Sequence, residues 1–401
     1  MKWEIKKLAD CCVSITDGDH QPPPKAQKGI PFVTISNITT ANQFDFSNTM
    51  YVSEEYYNHL DSKRKPQRGD ILYSVVGSFG IPVYIKETIP FVFQRHIAVL
   101  RPNHTILPQF LYYTMLNRDF YLMADAAAIG AAQRTVSLSA LRNMKIAVPP
   151  INIQEKIVYL LSAYDNLIEN NQKQIKLLEE AAQRLHKEWF VDLRFPGYET
   201  TPVVDGVPEG WELCHLEDVI EFNPKVPLSK ERLKQSVPMS ALSTSSMTLD
   251  TEEFAATFSN SGSKFQNGDT LLARITPCLE NGKTAFVAGV ESDEGAVGST
   301  EFIVMRSKGI NPYMVYLLAR NDSFRQSAIN SMTGSDGRQR AQADKLKALP
   351  YLKPADQIMM LFARYVEPMF IQIQKKNEQN VRLRQARDRL LPKLMSGEVE
   401  V

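Results

Sequence analysis

Apolar residues return every seven positions along two stretches of this chain. From Asn152 to Trp189 one seam reads Ile157, Tyr164, Asn171, Leu178 and Leu185, and a second reads Leu161, Ile168, Ile175, Ala182 and Trp189. From Ala355 to Met395 the same spacing sets Phe362, Met369, Leu383 and Leu390 against Val366, Ile373 and Leu394. Two apolar positions per heptad, kept over several heptads, predict long helices that pair in a coiled coil. Asn171 falls on a seam position, where a polar amide fixes register at some cost in stability. Asn152, after Pro149-Pro150, is the expected N-cap. Pro196-Gly197 is the expected stop of the first helix, and Pro368 a bend or break in the second. A helix of roughly 40 residues measures about 60 Å.

The remaining chain shows a different period. Short β-branched and aromatic runs, punctuated by Gly and Pro, predict strands at 31–35, 70–76, 83–85, 91–93 and 97–100, with a helix over 110–127. Further strands are expected at 270–273, 284–287 and 301–305, after a Pro/Gly linker over 200–210. The Pro22-Pro23-Pro24 run after Asp17-Gly18-Asp19-His20 can only be loop.

The two halves say the same thing. Trp3 and Leu8, Gly69-Asp70-Ile71-Leu72, Gln133-Arg134 and a heptad helix recur in order as Gly210-Trp211 and Leu216, Gly268-Asp269-Thr270-Leu271-Leu272, Gln339-Arg340 and a second heptad helix. The separation is roughly 200 residues, far beyond the 20–50 of solenoid repeats, so each copy is a domain plus a helix. Parallel and antiparallel pairing are both open to the connection between the helices. Antiparallel pairing is favoured, because it relates the halves by a pseudo-dyad that matches the dyad of duplex DNA.

Composition narrows the function. The formal net charge is +1 over 401 residues, which argues against a simple basic nucleic-acid binder but leaves local patches open. No apolar run approaches the ~20 residues needed to cross a bilayer, and no secretory signal opens the chain. Cys11, Cys12, Cys214 and Cys278 lack a disulfide or zinc spacing, so reduced cytosolic thiols are expected. No phosphate-binding glycine loop, metal-ligand cluster or nucleophile elbow is present. Asn223-Pro224-Lys225 and Asn311-Pro312-Tyr313 begin like the base-flipping motif of an adenine methyltransferase and fail at the following positions.

The chemistry that remains is that of DNA contact. Arg, Lys, Asn and Gln read base edges, and Lys, Arg, Ser and Thr grip phosphates. Gln133, Arg134 and Thr135 follow a small-residue stretch, 126–132, over which a duplex can approach the backbone closely. Arg338, Gln339 and Arg340 follow a glycine turn at what reads as the equivalent place, with two guanidiniums in a fork. Ser78, after the first Gly-Asp strand, and Arg274, Asn281 and Lys283, after the second, are candidates to enter a groove. Arg95 and His96 are polar where a strand core is expected, and His20 joins them as a candidate. Lys63-Arg64-Lys65 is either a solvated turn or a phosphate clamp. Two rivals stand beside DNA reading: a self-contained methyltransferase or nuclease, and a protein-only coiled-coil scaffold with two adaptor domains.

The ordered motifs resemble the specificity subunits of type I restriction–modification systems. They comprise Asp17-Gly18-Asp19-His20 with its prolines, Gly29-Ile30-Pro31-Phe32, the two Gly-Asp strands, Leu141 to Pro150 with Gln154 and Ile157, Pro208 to Glu212, and Leu346 to Gln357. The second spacer departs from the pattern, opening Tyr351-Leu352-Lys353-Pro354 instead of on a double proline. The resemblance implies an α+β chain with two mixed α/β target-recognition domains, 1–150 and, after a linker, 199–350. These alternate with helical spacers 151–198 and 351–401, paired as an antiparallel coiled coil in a pseudo-two-fold repeat. It implies a cytoplasmic, non-catalytic subunit that reads a bipartite site on double-stranded DNA and scaffolds two methyltransferase subunits and the restriction subunits, with no membrane. S-adenosylmethionine would be bound by the methyltransferase partners, and ATP and Mg by the restriction subunits. No cofactor is expected in this chain.

Overall fold

The computed structural model describes residues 3–21, 23–39, 42–46, 49–131, 133–335 and 337–401. Pro22, Ala132 and Asp336, which belong to segments singled out above, lie outside the described residues. The chain divides into two compact units, one of residues 1–166 with 383–401 and the other of residues 167–382.

In the first unit an antiparallel sheet runs in the order Cys12–Asp17, Ile97–Pro102, Ile71–Ser74, Pro82–Tyr84. A three-stranded sheet orders Met50–Val52, Ile30–Val33 and Val92–Phe93, the last two parallel. Glu4–Lys7 pairs with Lys145–Val148. The strand Ile71–Ser74 is buried at every position, which explains why its sequence is a continuous apolar run instead of an alternating one. The expected helix over 110–127 is two helices, Pro108–Leu116 and Arg118–Ala127. Asn117 breaks them in an extended conformation, φ −65 and ψ 140, the geometry an N-cap residue adopts. Apolar spacing continues across Asn117, so periodicity alone does not register the break.

The second unit repeats this strand order and adds a fourth strand, Ser263–Phe265, to its second sheet. Its antiparallel sheet runs Ile220–Phe222, Phe302–Ser307, Thr270–Ala273, Thr284–Phe286, and a second sheet runs Ala255–Thr257, Lys234–Val237, Ala296–Gly298, Ser263–Phe265. Glu212–His215 pairs with Pro350–Lys353. The expected linker over 200–210 contains a small hairpin, Val203–Val204 with Val207–Pro208. Its turn is Asp205-Gly206, both residues at positive φ, as a tight hairpin turn requires.

The repeated Gly-Asp motif has a structural task in both units. Asp70 accepts Arg101 Nε at 2.9 Å and Nη2 at 2.9 Å, and Asp269 accepts Arg306 Nε at 2.7 Å and Nη2 at 2.7 Å. Each carboxylate also takes a backbone N–H three residues upstream, from Gln67 and Gln266. This bidentate pair ties the start of the central strand to its neighbour.

The two heptad segments form helices Ile151–His186, continued by a wider turn to Val191, and Asp356–Ser396. The first starts at Ile151, so Asn152 is inside the helix instead of capping it, and it ends before Pro196-Gly197. The second runs unbroken through Pro368. A proline costs a helix interior about 3 kcal/mol, and the adjoining Phe362, Val366, Phe370 and Ile373, nearly fully buried, offset that at about 1.5–3 kcal/mol each.

Within the second unit Ile175, Ala182 and Trp189 share a core with Phe362, Val366, Phe370 and Ile373. Leu178 and Leu185 pack at its margin, and Ile168 is also buried. Asn171 Nδ2 donates to Asn380 Oδ1 at 3.0 Å, while Trp189 meets Phe362 at 5.6 Å between ring centroids. As one helix advances, its partners on the other recede. Within the first unit Ile157 and Leu161 pack with Leu391 and Leu394, and Leu390 lies at the edge. Tyr164 and Leu383 are only half-buried. Among the described residues no helix is long and apolar enough to cross a membrane.

Candidate nucleic-acid interface

In the first unit the candidate residues gather at one end of the central strand. Residues 133–136 are pinned there: Gly77 N donates to Arg134 O at 3.0 Å and Val136 N to Val75 O at 2.8 Å. Between them the turn Gly77-Ser78-Phe79-Gly80 leaves Ser78 exposed. Gly80 has φ +97, and a Cβ there would lie 2.5 Å from the Tyr121 ring, so both backbone and packing demand glycine.

Arg134 is not a free guanidinium. Its Nη1 meets Asp125 Oδ1 at 2.5 Å, its Nη2 donates to Asp125 O at 2.5 Å, and it lies 5.5 Å over the Phe79 ring. Phe79 in turn stacks on Tyr121 at 5.9 Å and 11°. Gln133 and Arg134 are exposed and Thr135 is half-buried.

His20, Arg95 and His96 come from two loops bridged through Asp19 and Gln94. Arg95 N donates to Asp19 O at 3.0 Å, and His20 Nε2 lies 2.9 Å from Asp17 Oδ2. Gly18 permits this closeness, since a Cβ would stand 2.1 Å from Phe93 O. Burial, helped by the Arg95 charge, holds the His96 imidazole below its ordinary pKa. The basic run at 63–65 is partly engaged: Arg64 faces Asp19 at 4.0 Å, and Lys65 donates to Asn58 O at 3.0 Å.

In the second unit Arg274 N donates to Glu301 O at 2.9 Å, Thr276 N to Gln339 O at 3.1 Å and Ala341 N to Arg274 O at 2.8 Å. Arg340 is bidentate on Glu301, with Nη2 to Oε1 at 2.7 Å and Nε to Oε2 at 2.9 Å. The Arg340 hydrogen bonds hold the Glu301 carboxyl below the usual carboxylate range. The expected fork of two guanidiniums is therefore one exposed Arg338 beside a paired Arg340. Asn281 is exposed, whereas Lys283 Nζ turns inward to Met239 O at 2.9 Å.

These backbone bonds correct the equivalence read from the repeated Gln-Arg pair. Counted from Asp70 and Asp269, the carbonyl that receives Gly77 N is that of Arg134, and the one that receives Thr276 N is that of Gln339. The pair is offset by one residue between the units. Arg134 stands where Gln339 stands, and Thr135 where Arg340 stands. The carbonyls of His96 and Glu301 likewise match, accepting Val75 N and Arg274 N. An offset of one turns each side chain to the opposite face of extended backbone, so equal letters do not present equal chemistry.

Sequence reasoning missed the attachments to the first long helix. In the first unit Tyr113 Oη donates to Asp165 Oδ2 at 2.7 Å and Arg387 Nη1 to Asp165 Oδ1 at 2.7 Å. In the second Tyr316 Oη donates to Glu179 Oε1, and Met247 N to Glu179 Oε2 at 2.9 Å. The buried Gln154 accepts Leu107 N at 2.8 Å and donates to Pro149 O at 2.9 Å. For Asp165 and Glu179 the one available signal was a carboxylate immediately after a seam position. Among the described residues no group of three or more His, Cys, Asp or Glu side chains is placed to hold a metal ion.

Two like-folded units are thus each bolted by a tyrosine to a stretch of the same long helix, and each presents its own polar set from a common backbone frame. Residues 1–180 match the family described as the type I restriction modification DNA specificity domain. The type I restriction enzyme MjaIX specificity subunit of Methanocaldococcus jannaschii is 23% identical over 435 residues, covering 100% of this chain and 94% of that one. The EcoAI specificity subunit of Escherichia coli is 35% identical over 140 residues, 33% of this chain and 23% of that one. The fold matches the crystal structure of a type I restriction–modification S subunit from M. genitalium with TM-score 0.55 at 14% identity, covering 98% and 96% of the two chains. Over residues 1–180 the chain carries that specificity domain, and along its whole length it is similar to a specificity subunit of a type I restriction–modification system.

Proposed function

We propose that this chain is the non-catalytic subunit that reads a bipartite target in double-stranded DNA, residues 1–150 reading one half and residues 199–350 the other. One observation carries this reading: a common backbone frame holds different side chains at matched positions, Arg134 against Gln339, Thr135 against Arg340 and His96 against Glu301. Two unlike readers on one scaffold suit two unlike half-sites. The near-neutral total charge accords with phosphate contacts confined to patches.

The long helices, on this reading, pair as an antiparallel coiled coil, relate the halves by a pseudo-two-fold axis and set the gap between half-sites. Supporting this are the opposed order of helix partners within the second unit and the Asn171–Asn380 pair, an amide contact of the kind that fixes register. The outward helix faces would receive two methyltransferase subunits, which bind S-adenosylmethionine, and the complex would recruit restriction subunits with their ATP and Mg. The site of action is the cytoplasm. DNA-contact roles are assigned to Gln133, Arg134, Thr135, Ser78, Arg95, His96 and His20 in the first half, and to Arg274, Asn281, Lys283, Arg338, Gln339 and Arg340 in the second.

Methylome sequencing of cells expressing the chain with its methyltransferase partner tests the reading. A bipartite methylated motif is expected, lost when this gene is deleted, and exchange of residues 1–150 for those of a relative is expected to change one half only. No change in any motif on deletion would remove the proposal in favour of a protein-only scaffold. A finer expectation concerns the glutamines: Gln133→Ala and Gln339→Ala should each relax one position in their own half, at about 1–3 kcal/mol of discrimination per bidentate base contact. Competition binding with single-base variants of the motif measures it.

A further inference from the structure

The second unit contains an open cleft of about 730 Å³ between its two sheets that none of the matched positions above explains. Its rim carries Lys225, Lys264 and Arg274, with Thr300 and Ser263 beside them, and among the described residues no Asp or Glu lines it. In a chain whose 46 Lys and Arg are balanced by 45 Asp and Glu, three cations around one cleft without a lining carboxylate mark a local positive field. The neighbouring Glu301 carboxylate is bidentate on Arg340 and also feels the Arg274 charge, which leaves Lys225 and Lys264 as the cations of the cleft without an acidic neighbour lining it.

Arg274 adds an independent observation. Its Nε is shut off from solvent and has no hydrogen-bond partner among the described residues, although its backbone is fixed on both sides by Glu301 O and Ala341 N. A buried donor left without an acceptor costs about 1–3 kcal/mol, and such a group in a native structure calls for a missing partner.

The cleft wall is stiff. Asn223 holds φ 53, and its N–H donates to Val304 O at 2.7 Å while its Oδ1 accepts Val304 N at 3.0 Å. Pro224 and Pro227 restrict the segment that carries Lys225. On the opposite wall Gly262 has φ +101 with Gly298 O only 2.0 Å from where a Cβ would stand. A rigid frame bearing spaced cations is suited to a fixed anion.

We infer that this cleft holds a backbone phosphate of the duplex read by the second unit, gripped by Lys225, Lys264 and Arg274. The inference rests on the DNA-reading function proposed above. Lys225 and Lys264 are positioning residues that carry no base information. They differ in this from Gln339 and Asn281, whose roles lie in the sequence read.

The test measures binding of the full chain, co-purified with its methyltransferase subunits, to a fluorescent duplex bearing the methylated motif, over a range of salt. Lys225→Ala/Lys264→Ala is expected to lower the steepness of log K against log salt by about 1, at roughly 0.9 for the one phosphate no longer neutralised. Affinity should fall for specific and non-specific duplex alike, and the methylated motif should stay the same. Lys225→Ala alone, at an exposed position, should lower the slope in the same direction by part of that amount and guards against misfolding of the double variant. An unchanged slope in both variants, with normal binding by the unsubstituted complex, overturns the phosphate site and leaves the DNA-reading function standing. A changed second half of the motif also overturns it, by making the lysines base readers. Inorganic phosphate that binds the complex without competing with duplex would assign the cleft to a free anion and overturn the duplex assignment. Failure of the unsubstituted complex to bind any duplex sinks the function itself.

Discussion

Asp70→Ala is expected to destabilise the first unit by about 3–5 kcal/mol, and Asp269→Ala the second by as much. Removing one partner of a buried pair leaves the other charge unmatched, which is the source of that cost. Asp70 and Asp269 are both 1% exposed, and Arg101 and Arg306 stay anchored beside them on strands of the same sheets. The backbone N–H groups of Gln67 and Gln266 also lose their acceptor. Hydrogen exchange separates the two effects: Asp70→Ala should raise exchange in Ile71–Ser74 while Thr270–Ala273 keeps its protection, and Asp269→Ala should do the converse. Replacing both partners, as in Asp70→Leu/Arg101→Met, should recover much of the loss, because an apolar pair leaves no stranded charge. Equal exchange in all these strands in every variant would show that the Gly-Asp motif does not brace them.

That motif shows how much of the fold the sequence makes legible. The Gly-Asp strands, the heptad helices and the doubling of the whole pattern are local, repeated signals, and each corresponds to an element observed. What the motif does lies elsewhere: Arg101 and Arg306 sit 31 and 37 residues on, and only strand pairing brings them back. The same holds for the candidate interface. Glycine-bearing turns and a Gln-Arg pair are visible as letters, but the offset that matches Arg134 with Gln339 is set by backbone hydrogen bonds to a neighbouring turn. The partners that occupy Arg134 and Arg340, Asp125 and Glu301, come from different elements in the two units, so no repeat announces them. Asn117 was readable in principle, since Asn favours helix caps. An apolar period that runs straight through it hides the break.

Acid should weaken the second unit through one histidine. His186 lies on the first long helix, 5% exposed, with Phe190 at 5.4 Å and Phe362 at 6.2 Å between ring centroids. Burial among these rings pushes its imidazole down to about 4, against about 6.5 in an unfolded chain. Between those two values the unfolded state binds the proton and the folded state does not. Stability contributed by the neutral buried ring is therefore whole above about pH 6.5 and is lost as pH falls towards 4, by about 3 kcal/mol in all. Glu179, seven residues earlier on the same helix, acts in the opposite sense. Desolvation raises its carboxyl, against the hydrogen bond from Tyr316 and the charge of Arg320, so the folded state holds that proton more readily and its contribution improves as pH falls. The net acid profile of the unsubstituted chain is thus shallower than His186 alone would make it. His186→Phe removes one titration and keeps the other. In urea unfolding at pH 7, 6, 5 and 4.5, the difference between the two proteins should grow in favour of the phenylalanine variant as pH drops. A difference constant across that range would mean that the imidazole is solvated in the folded state, and that the helices do not close over it.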